Sequence, residues 1–342
     1  MINTIYVCDT LYQIIVAYCV QKQIQEDAVI IVTDHTCGMD VLRQRIERYT
    51  SLFHEAFYVE AKKYSIRTMY SDEMIDSEIL SFLKRNSCYD CDHVVIGSLE
   101  PYMRRLIKVL KYDLKNADLR IGVIEDGFAT YSFFGDILSR YSHKEKISEL
   151  FIFEPTILSW NTDIRTIKIN KKFFENDKFK KELNTIFDYY SLQDAYSQKY
   201  IVLSSAIEEI TPIKNKAVIL NCLADCVGKD NILIKTHPRM NRDYYLDRGY
   251  NVNVDTSVPW EIIALNMDLS NKIIISSDSG SLYTPKILFD KQMTGVTVMK
   301  IMDYSDPLGL IDYYSRFVCS KYNCFYIPNN MEEFAQIIEG TK

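Results

Sequence analysis

Four short turns carry residues able to move protons or hold anions, and each comes directly after an apolar run. Asp9-Thr10 follows Thr4-Ile5-Tyr6-Val7-Cys8, and Glu125-Asp126-Gly127 follows the run from Arg120 to Ile124. Lys235-Thr236-His237-Pro238-Arg239 closes the run Asn231 to Lys235, and Ser276-Ser277-Asp278-Ser279 closes Lys272 to Ser276. Two adjacent carboxylates before a turn-permitting glycine are costly to bury, and like charges that close raise one pKa and favour a proton acceptor near neutral pH. Such a group can act as a general base on a hydroxyl nucleophile. A solvated Asp-Gly turn needs the same residues for no chemical purpose, and the acidic turn by itself fits that plainer account.

The His-Pro turn is more specific. Pro238 fixes the backbone behind His237, and Lys235, His237 and Arg239 put several cationic or donor groups within five residues, which suits a phosphate leaving group. In the serine turn, hydroxyls and free amides at a helix start bind phosphate without lysine, and ordinary N-capping uses the same groups. A second acidic turn, Ser204-Ser205-Ala206-Ile207-Glu208-Glu209, follows Tyr200 to Leu203. It makes Glu208 and Glu209 rivals of Asp126 for the base, or contacts for an acceptor.

The elements that must position these turns are short apolar strands alternating with helical stretches. Strands are expected at Thr4 to Cys8, Ala28 to Val32, His93 to Gly97, Arg120 to Ile124 and Leu150 to Phe153. Helical patterns lie at Leu11 to Gln21 and Tyr102 to Leu110. The second half has the same grammar at Tyr200 to Leu203, Ala217 to Leu220, Asn231 to Lys235 and Lys272 to Ser276. A helix with Pro285 in its early turns follows at Leu282 to Asp290. This alternation predicts an α/β protein with parallel sheets covered on both faces. Ligands of such sheets bind beyond the carboxyl ends of the strands, where the four turns sit.

The chain has 342 residues, more than one core usually supports, so two domains are expected. Residues 1–155 are read as the first domain, 156–198 as a connection and 199–342 as the second, with the last helix packing back on the first. The connection contains Lys168, Lys171, Lys172, Lys178, Lys180 and Lys181 interleaved with Phe173, Phe174 and Phe179. It fits a solvated linker helix, and it also fits a basic, aromatic surface resting on an anionic membrane.

A formal net charge of -6 argues against a nucleic-acid partner, which needs a basic footprint. The start of the chain lacks a signal peptide's cationic region, and no apolar run approaches a membrane span of about 20 residues. A cytoplasmic protein is expected, with the basic segment as its route to the inner membrane and homo-oligomer formation left open. Nine cysteines are an odd number. Cys88-x-x-Cys91 lacks the second ligand pair of a zinc site and runs into a strand rather than a redox helix, and the overlapping Asp90-x-Asp92 is too short to define a metal-nucleotide site.

In order and position the turns resemble the bacterial sialyltransferases, most closely the lipooligosaccharide and capsule sialyltransferases of glycosyltransferase family 52. These share an acidic-acidic-Gly motif, a His-Pro motif and a Ser-Ser/Thr motif, matched here by Glu125-Asp126-Gly127, His237-Pro238 and Ser276-Ser277. Asp9-Thr10-Leu11-Tyr12-Gln13 looks like the family's first loop. The resemblance implies a GT-B fold, two Rossmann-like domains with parallel sheets facing across a cleft. It implies inverting transfer of sialic acid from CMP-sialic acid to a sugar hydroxyl of an oligosaccharide acceptor, with no metal and no cofactor. By motif, Asp126 would be the base and Glu125 its neighbour, and His237 would serve the departing phosphate. Ser276 and Ser277 would hold the phosphate, with Ser279 in the same turn, and Lys235 and Pro238 would line the nucleotide site. Asp9, Thr10 and Gly127 would border the acceptor. Three rivals share the fold: a transferase with a CDP-glycerol-type donor, a nucleotide-sugar epimerase, and a non-catalytic glycan-binding protein.

Overall fold

In the computed structural model, β1 (Thr4–Cys8) is buried at every position, as a strand covered on both faces of a parallel sheet must be. The structure describes residues 2–65, 70–132, 135, 138, 141, 147–189, 195–204, 215–237, 242–253, 257–277, 279–302 and 317–341. Two units result, the first to Phe187 and the second from Asp188.

The first unit holds a seven-stranded sheet in the order β3-β2-β1-β4-β5-β6-β7. The strands besides β1 are β2 (Ala28–Thr33), β3 (Glu55–Val59), β4 (His93–Ile96), β5 (Arg120–Ile124), β6 (Glu149–Ile152) and β7 (Arg165–Lys168). Every pairing is parallel. The helix α1 (Leu11–Ile24) leaves β1 after a two-residue turn, with Thr10 as N-cap accepting the Gln13 amide. Residues 13–21 of α1 are buried, so this helix belongs to the core rather than to the surface.

The second unit repeats the order with a six-stranded sheet, β10-β9-β8-β11-β12-β13. Its strands are β8 (Tyr200–Leu203), β9 (Ile232–Lys235), β10 (Asn251–Val252), β11 (Ile273–Ser276), β12 (Thr294–Thr297) and β13 (Phe325–Tyr326), again all parallel. In each sheet the strand order reverses at one place, between β1 and β4 and between β8 and β11. That reversal is where doubly wound sheets open a crevice for ligands.

Two expectations are sharpened. The segment 156–198 is not a mere connection. Arg165–Lys168 pairs with β6 as an edge strand, and the helix Asp177–Ile186 packs on the helix Met39–Tyr49, so both belong to the first unit. Phe174 and Phe179 are buried there, with ring centroids 6.1 Å apart. Those two rings serve the core, and of the segment's lysines Lys168, Lys172, Lys178 and Lys181 are exposed. Ala217 to Leu220, which suits a strand or a helix neighbouring one, is the start of the helix Lys216–Val227, whose Ile219, Leu220 and Leu223 are buried at helical spacing. The last helix, Met331–Gly340, packs on that helix through Phe334 and Ile338 within the second unit's core.

Candidate active site

At the first switch point, the carboxyl ends of β1, β2, β4 and β5 gather a polar cluster. Asp9, the residue after β1, is buried. Its Oδ1 accepts the Thr33 hydroxyl and its Oδ2 the Ser98 hydroxyl, each at 2.6 Å. The Asp9 amide donates to Gln13 Oε1 at 2.7 Å, and Gln13 Nε2 donates to the Gly97 carbonyl at 3.2 Å. The Gln13 side chain occupies the space beside Gly97, since a Cβ there would lie 2.1 Å from Gln13 Oε1. These contacts tie the turns after β1 and β4 together.

β5 delivers the paired acids, and successive strand residues point to opposite faces. Glu125 is fully buried. Its Oε1 accepts the Tyr12 hydroxyl, and its Oε2 accepts the Tyr131 hydroxyl and, at 2.7 Å, the Phe153 amide. Burial pushes its pKa up to about 7 against those hydrogen bonds. Asp126 is half-buried, its amide donates to Thr130 Oγ1 at 2.7 Å, and its Oδ1 lies 3.5 Å from the Thr10 hydroxyl. Burial also raises its pKa, to about 6, and the nearby charge of Asp9 adds to the rise. The charge that adds to the rise at Asp126 is thus that of Asp9 rather than of the adjacent Glu125, which Tyr12, Tyr131 and the Phe153 amide hold in the core. Gly127 has φ +58°, the left-handed region that lets the chain leave β5 abruptly.

The second switch point lies between β8 and β11. Lys235, the last residue of β9, is buried, and Thr236 donates its amide to Asn253 Oδ1 at 2.9 Å. His237 is half-buried and its amide donates to Ser204 Oγ at 2.7 Å, so the residue after β8 anchors the turn after β9. Ser276 is buried. Its hydroxyl donates to the Leu203 carbonyl and accepts the Ser279 amide, both at 3.2 Å. Ser279 caps the short 3₁₀ turn Gly280–Leu282, accepting the Ser281 amide. The hydroxyls of Ser276 and Ser279 thus build the turn, and Ser277 lies between them at the wall of a pocket shared with Ser204, Lys216 and Met302.

Among the contributors absent from the sequence reading of the site are Thr33, Ser98 and Glu261. Thr33 and Ser98 supply contacts at the first switch point. Glu261, at the start of the helix Trp260–Asn266, accepts the hydroxyls of Thr284 at 3.1 Å and Ser281 at 3.4 Å, and burial raises its pKa while the Lys235 charge offsets the rise. An acid in a helix's first turn is ordinary, so its type and position gave no signal. Ser98 shows one only once β4 is placed beside β1. Pro238, Arg239, Asp278, Glu208 and Glu209 lie outside the described residues.

Cys88 and Cys91 are free and buried, and burial pushes their thiols up to about 11 and about 12, which leaves them protonated at neutral pH. Among the described residues, no group of three or more His, Cys, Asp or Glu side chains is arranged to hold a metal ion. Among the same residues, no helix is long and apolar enough to cross a membrane.

No family model and no curated protein sequence matches the chain. Its fold does match solved structures. The UDP-GlcNAc 2-epimerase of Methanocaldococcus jannaschii, in complex with UDP-GlcNAc and UDP, aligns with a TM-score of 0.55 at 12% identity, over 100% of this chain and 92% of that one. The UDP-GlcNAc 2-epimerase of Neisseria meningitidis, bound to UDP-GlcNAc, aligns at 0.53 and 15% identity over 99% of both chains. Phytolacca americana UGT2, complexed with UDP-2fluoro-glucose and pterostilbene, aligns at 0.54 and 8% identity over 99% of this chain and 89% of that one. At these identities the likeness is one of fold, and the fold is GT-B, built from two Rossmann-like α/β domains with parallel sheets.

Proposed function

We propose that the chain is an inverting, metal-independent glycosyltransferase that moves sialic acid from CMP-sialic acid to a hydroxyl of a bacterial surface glycan, with terminal galactose as the acceptor sugar. The observation that carries this reading is Asp126, a half-buried carboxylate at the carboxyl end of β5 with a pKa raised to about 6. Such a group is ionised at neutral pH yet basic enough to accept a proton in a transition state, which contributes about 10²–10⁴-fold.

In the proposed reaction the acceptor hydroxyl gives its proton to Asp126 as its oxygen attacks the anomeric carbon. The bond from that carbon to the CMP phosphate oxygen breaks, and the electron pair leaves with CMP. The oxocarbenium-like transition state needs orientation and a neutralised leaving group more than covalent help. His237, positioned by Ser204, and the serine turn serve the departing phosphate, and Lys235 adds positive charge beside them. Glu125, wrapped by Tyr12, Tyr131 and the Phe153 amide, supports the turn and takes no part in proton transfer. The fold relatives that carry UDP-GlcNAc support a nucleotide-linked sugar as the donor class, and the motif pattern supports sialic acid and CMP within it.

The test is incubation with CMP-sialic acid and lactose, with and without EDTA, followed by CMP release and linkage determination of the product. Sialyllactose formed equally in EDTA is the expected result. Turnover of CDP-glycerol without CMP-sialic acid turnover would replace the reading with the CDP-glycerol type. Interconversion of a nucleotide sugar with no acceptor and no nucleotide release would replace it with an epimerase.

A further inference from the structure

At the amino end of the first sheet, away from the acidic turn, an imidazole is buried between two carboxylates. His93 opens β4 and is 1% exposed. Its Nδ1 is hydrogen-bonded to Glu26 Oε2 at 3.3 Å. Its Nε2 also lies 3.3 Å from a carboxylate oxygen, Glu149 Oε2, yet makes no hydrogen bond among the described residues. The ring reaches Glu149 of β6 across β5 because the residue between them is Gly122, where a Cβ would stand 3.1 Å from Nε2 and 2.9 Å from the Phe151 ring. Each carboxylate has further partners. Glu26 accepts the Thr4 hydroxyl and Arg120 Nη2, the latter at 3.0 Å, and Glu149 Oε1 lies 3.6 Å from Nη1 of the exposed Arg165.

A neutral imidazole has one N–H to donate and one lone pair. The contacts fit a neutral ring with its proton on Nδ1: the bond to Glu26 is made, and the Nε2 lone pair faces a carboxylate that it cannot bond. We propose that His93 is an acid-operated clasp, in which a second proton, taken up on Nε2, closes the open contact to Glu149 and ties the turn before β2 to β6 across the amino end of the sheet. The proposed transfer uses none of these residues. The charged groups around the ring are Glu26 from the turn before β2, Arg120 on β5, with Asp92 3.6 Å from its guanidinium, Glu149 on β6 and, beyond it, Arg165 on β7. Tyr6 of β1 is a buried neighbour of both carboxylates, and burial keeps its hydroxyl protonated. Burial first, and then the Arg120 charge, hold the imidazole below its ordinary pKa of 6.5 against the pull of the two carboxylates. The ring is therefore neutral at neutral pH. Because its folded-state value lies below the unfolded one, its contribution to stability is full above 6.5 and is lost as pH falls, so closing the clasp costs net stability.

The test is ¹⁵N and ¹H NMR of the His93 imidazole in the full chain from about pH 4.5 to 8, assigned by the resonances lost in His93→Gln. Near neutral pH the ring should carry its proton on Nδ1, and it should titrate with a midpoint below 6.5. Glu149→Gln keeps the shape and removes the charge, so it should lower that midpoint by roughly half to one pH unit and leave the neutral tautomer unchanged. In the wild type alone, the acid form should show a strongly deshielded Nε2 proton, the mark of a charge-assisted bond to a carboxylate. A neutral ring protonated on Nε2 overturns the proposal, because the contact to Glu149 would then be closed without acid. So does a midpoint that Glu149→Gln leaves in place, or a ring that takes up no proton in this range. The absence of the deshielded Nε2 proton overturns it whether or not Glu149→Gln folds. None of these readings requires turnover, so they decide the clasp separately from the transferase activity.

Discussion

Glu125 and Asp126 share a peptide bond and little else. Glu125 is closed off from solvent with three donors on its carboxylate, whereas Asp126 is half-buried with the Thr10 hydroxyl 3.5 Å away. Both lie just beyond β5, where Tyr12, Tyr131 and the Phe153 amide hold Glu125 in the core, and the left-handed Gly127 then takes the chain away. The pair divides labour accordingly.

On the proposed reading, replacing Asp126 by Asn should lower kcat about 10²-fold or more and leave CMP affinity nearly unchanged, because the proposed base is lost while the proposed nucleotide groups belong to the second unit. Calorimetric titration with CMP beside initial rates checks both halves. A collapse of CMP affinity would move Asp126 to the nucleotide side of the reaction.

Glu125→Gln should act on stability. The folded-state pKa of Glu125, about 7, lies above the ordinary 4.5, so folding takes up a proton between those values. Its contribution therefore favours the folded state most at low pH and declines as pH rises from about 4.5 through 7. Gln can accept the Phe153 amide but carries no charge to desolvate. Its Tm relative to wild type should improve by a few degrees between pH 5 and pH 8 in thermal unfolding. Parallel Tm curves across that range would refute the assignment of a buried, titrating carboxyl.

At Gly97 the absent side chain makes room for Gln13. Gly97→Ala should displace Gln13 from both the Asp9 amide and the Gly97 carbonyl, since the new Cβ would meet Gln13 Oε1 at 2.1 Å. The expected cost is roughly 1–3 kcal/mol of stability. A loss of kcat should accompany it, because the turn beside Asp126 loosens. Unfolding curves and rates on the same preparation test this, and wild-type behaviour in both would show that Gln13 has another resting place.

In the second unit, Ser204→Ala removes the acceptor of the His237 amide and should cost about tenfold in kcat with little change in Tm. His237→Ala should cost roughly 10²-fold or more, as the group proposed to serve the leaving phosphate is removed. If Ser204→Ala matches His237→Ala in severity, Ser204 touches the substrate rather than holding the histidine.

Much of the fold was legible because buried parallel strands are continuous apolar runs. Thr4–Cys8, Arg120–Ile124 and Ile273–Ser276 need no partner to be recognised. β7 was not legible, because an edge strand reading R-T-I-K has three exposed positions and no pattern. Ala217 to Leu220 stayed open because four apolar residues suit a strand or a buried helix equally, and only the spacing of Leu223 behind them decides.

For the site, the sequence by itself determined which residue types follow which strands, and therefore that Asp9, Asp126, His237 and Ser276 lie at the carboxyl ends of their sheets. That much follows from local pattern, since a strand and its turn are contiguous in the chain. The tertiary structure alone decided their contacts. It set the charge of Asp9 rather than that of Glu125 against Asp126, gave Ser98 and Thr33 to Asp9, and spent the Ser276 hydroxyl on the turn itself. The physical reason is that strand order and burial bring together residues some 24 to 116 positions apart, and a carboxylate's behaviour depends on those neighbours and on its access to water far more than on the residues beside it in the chain.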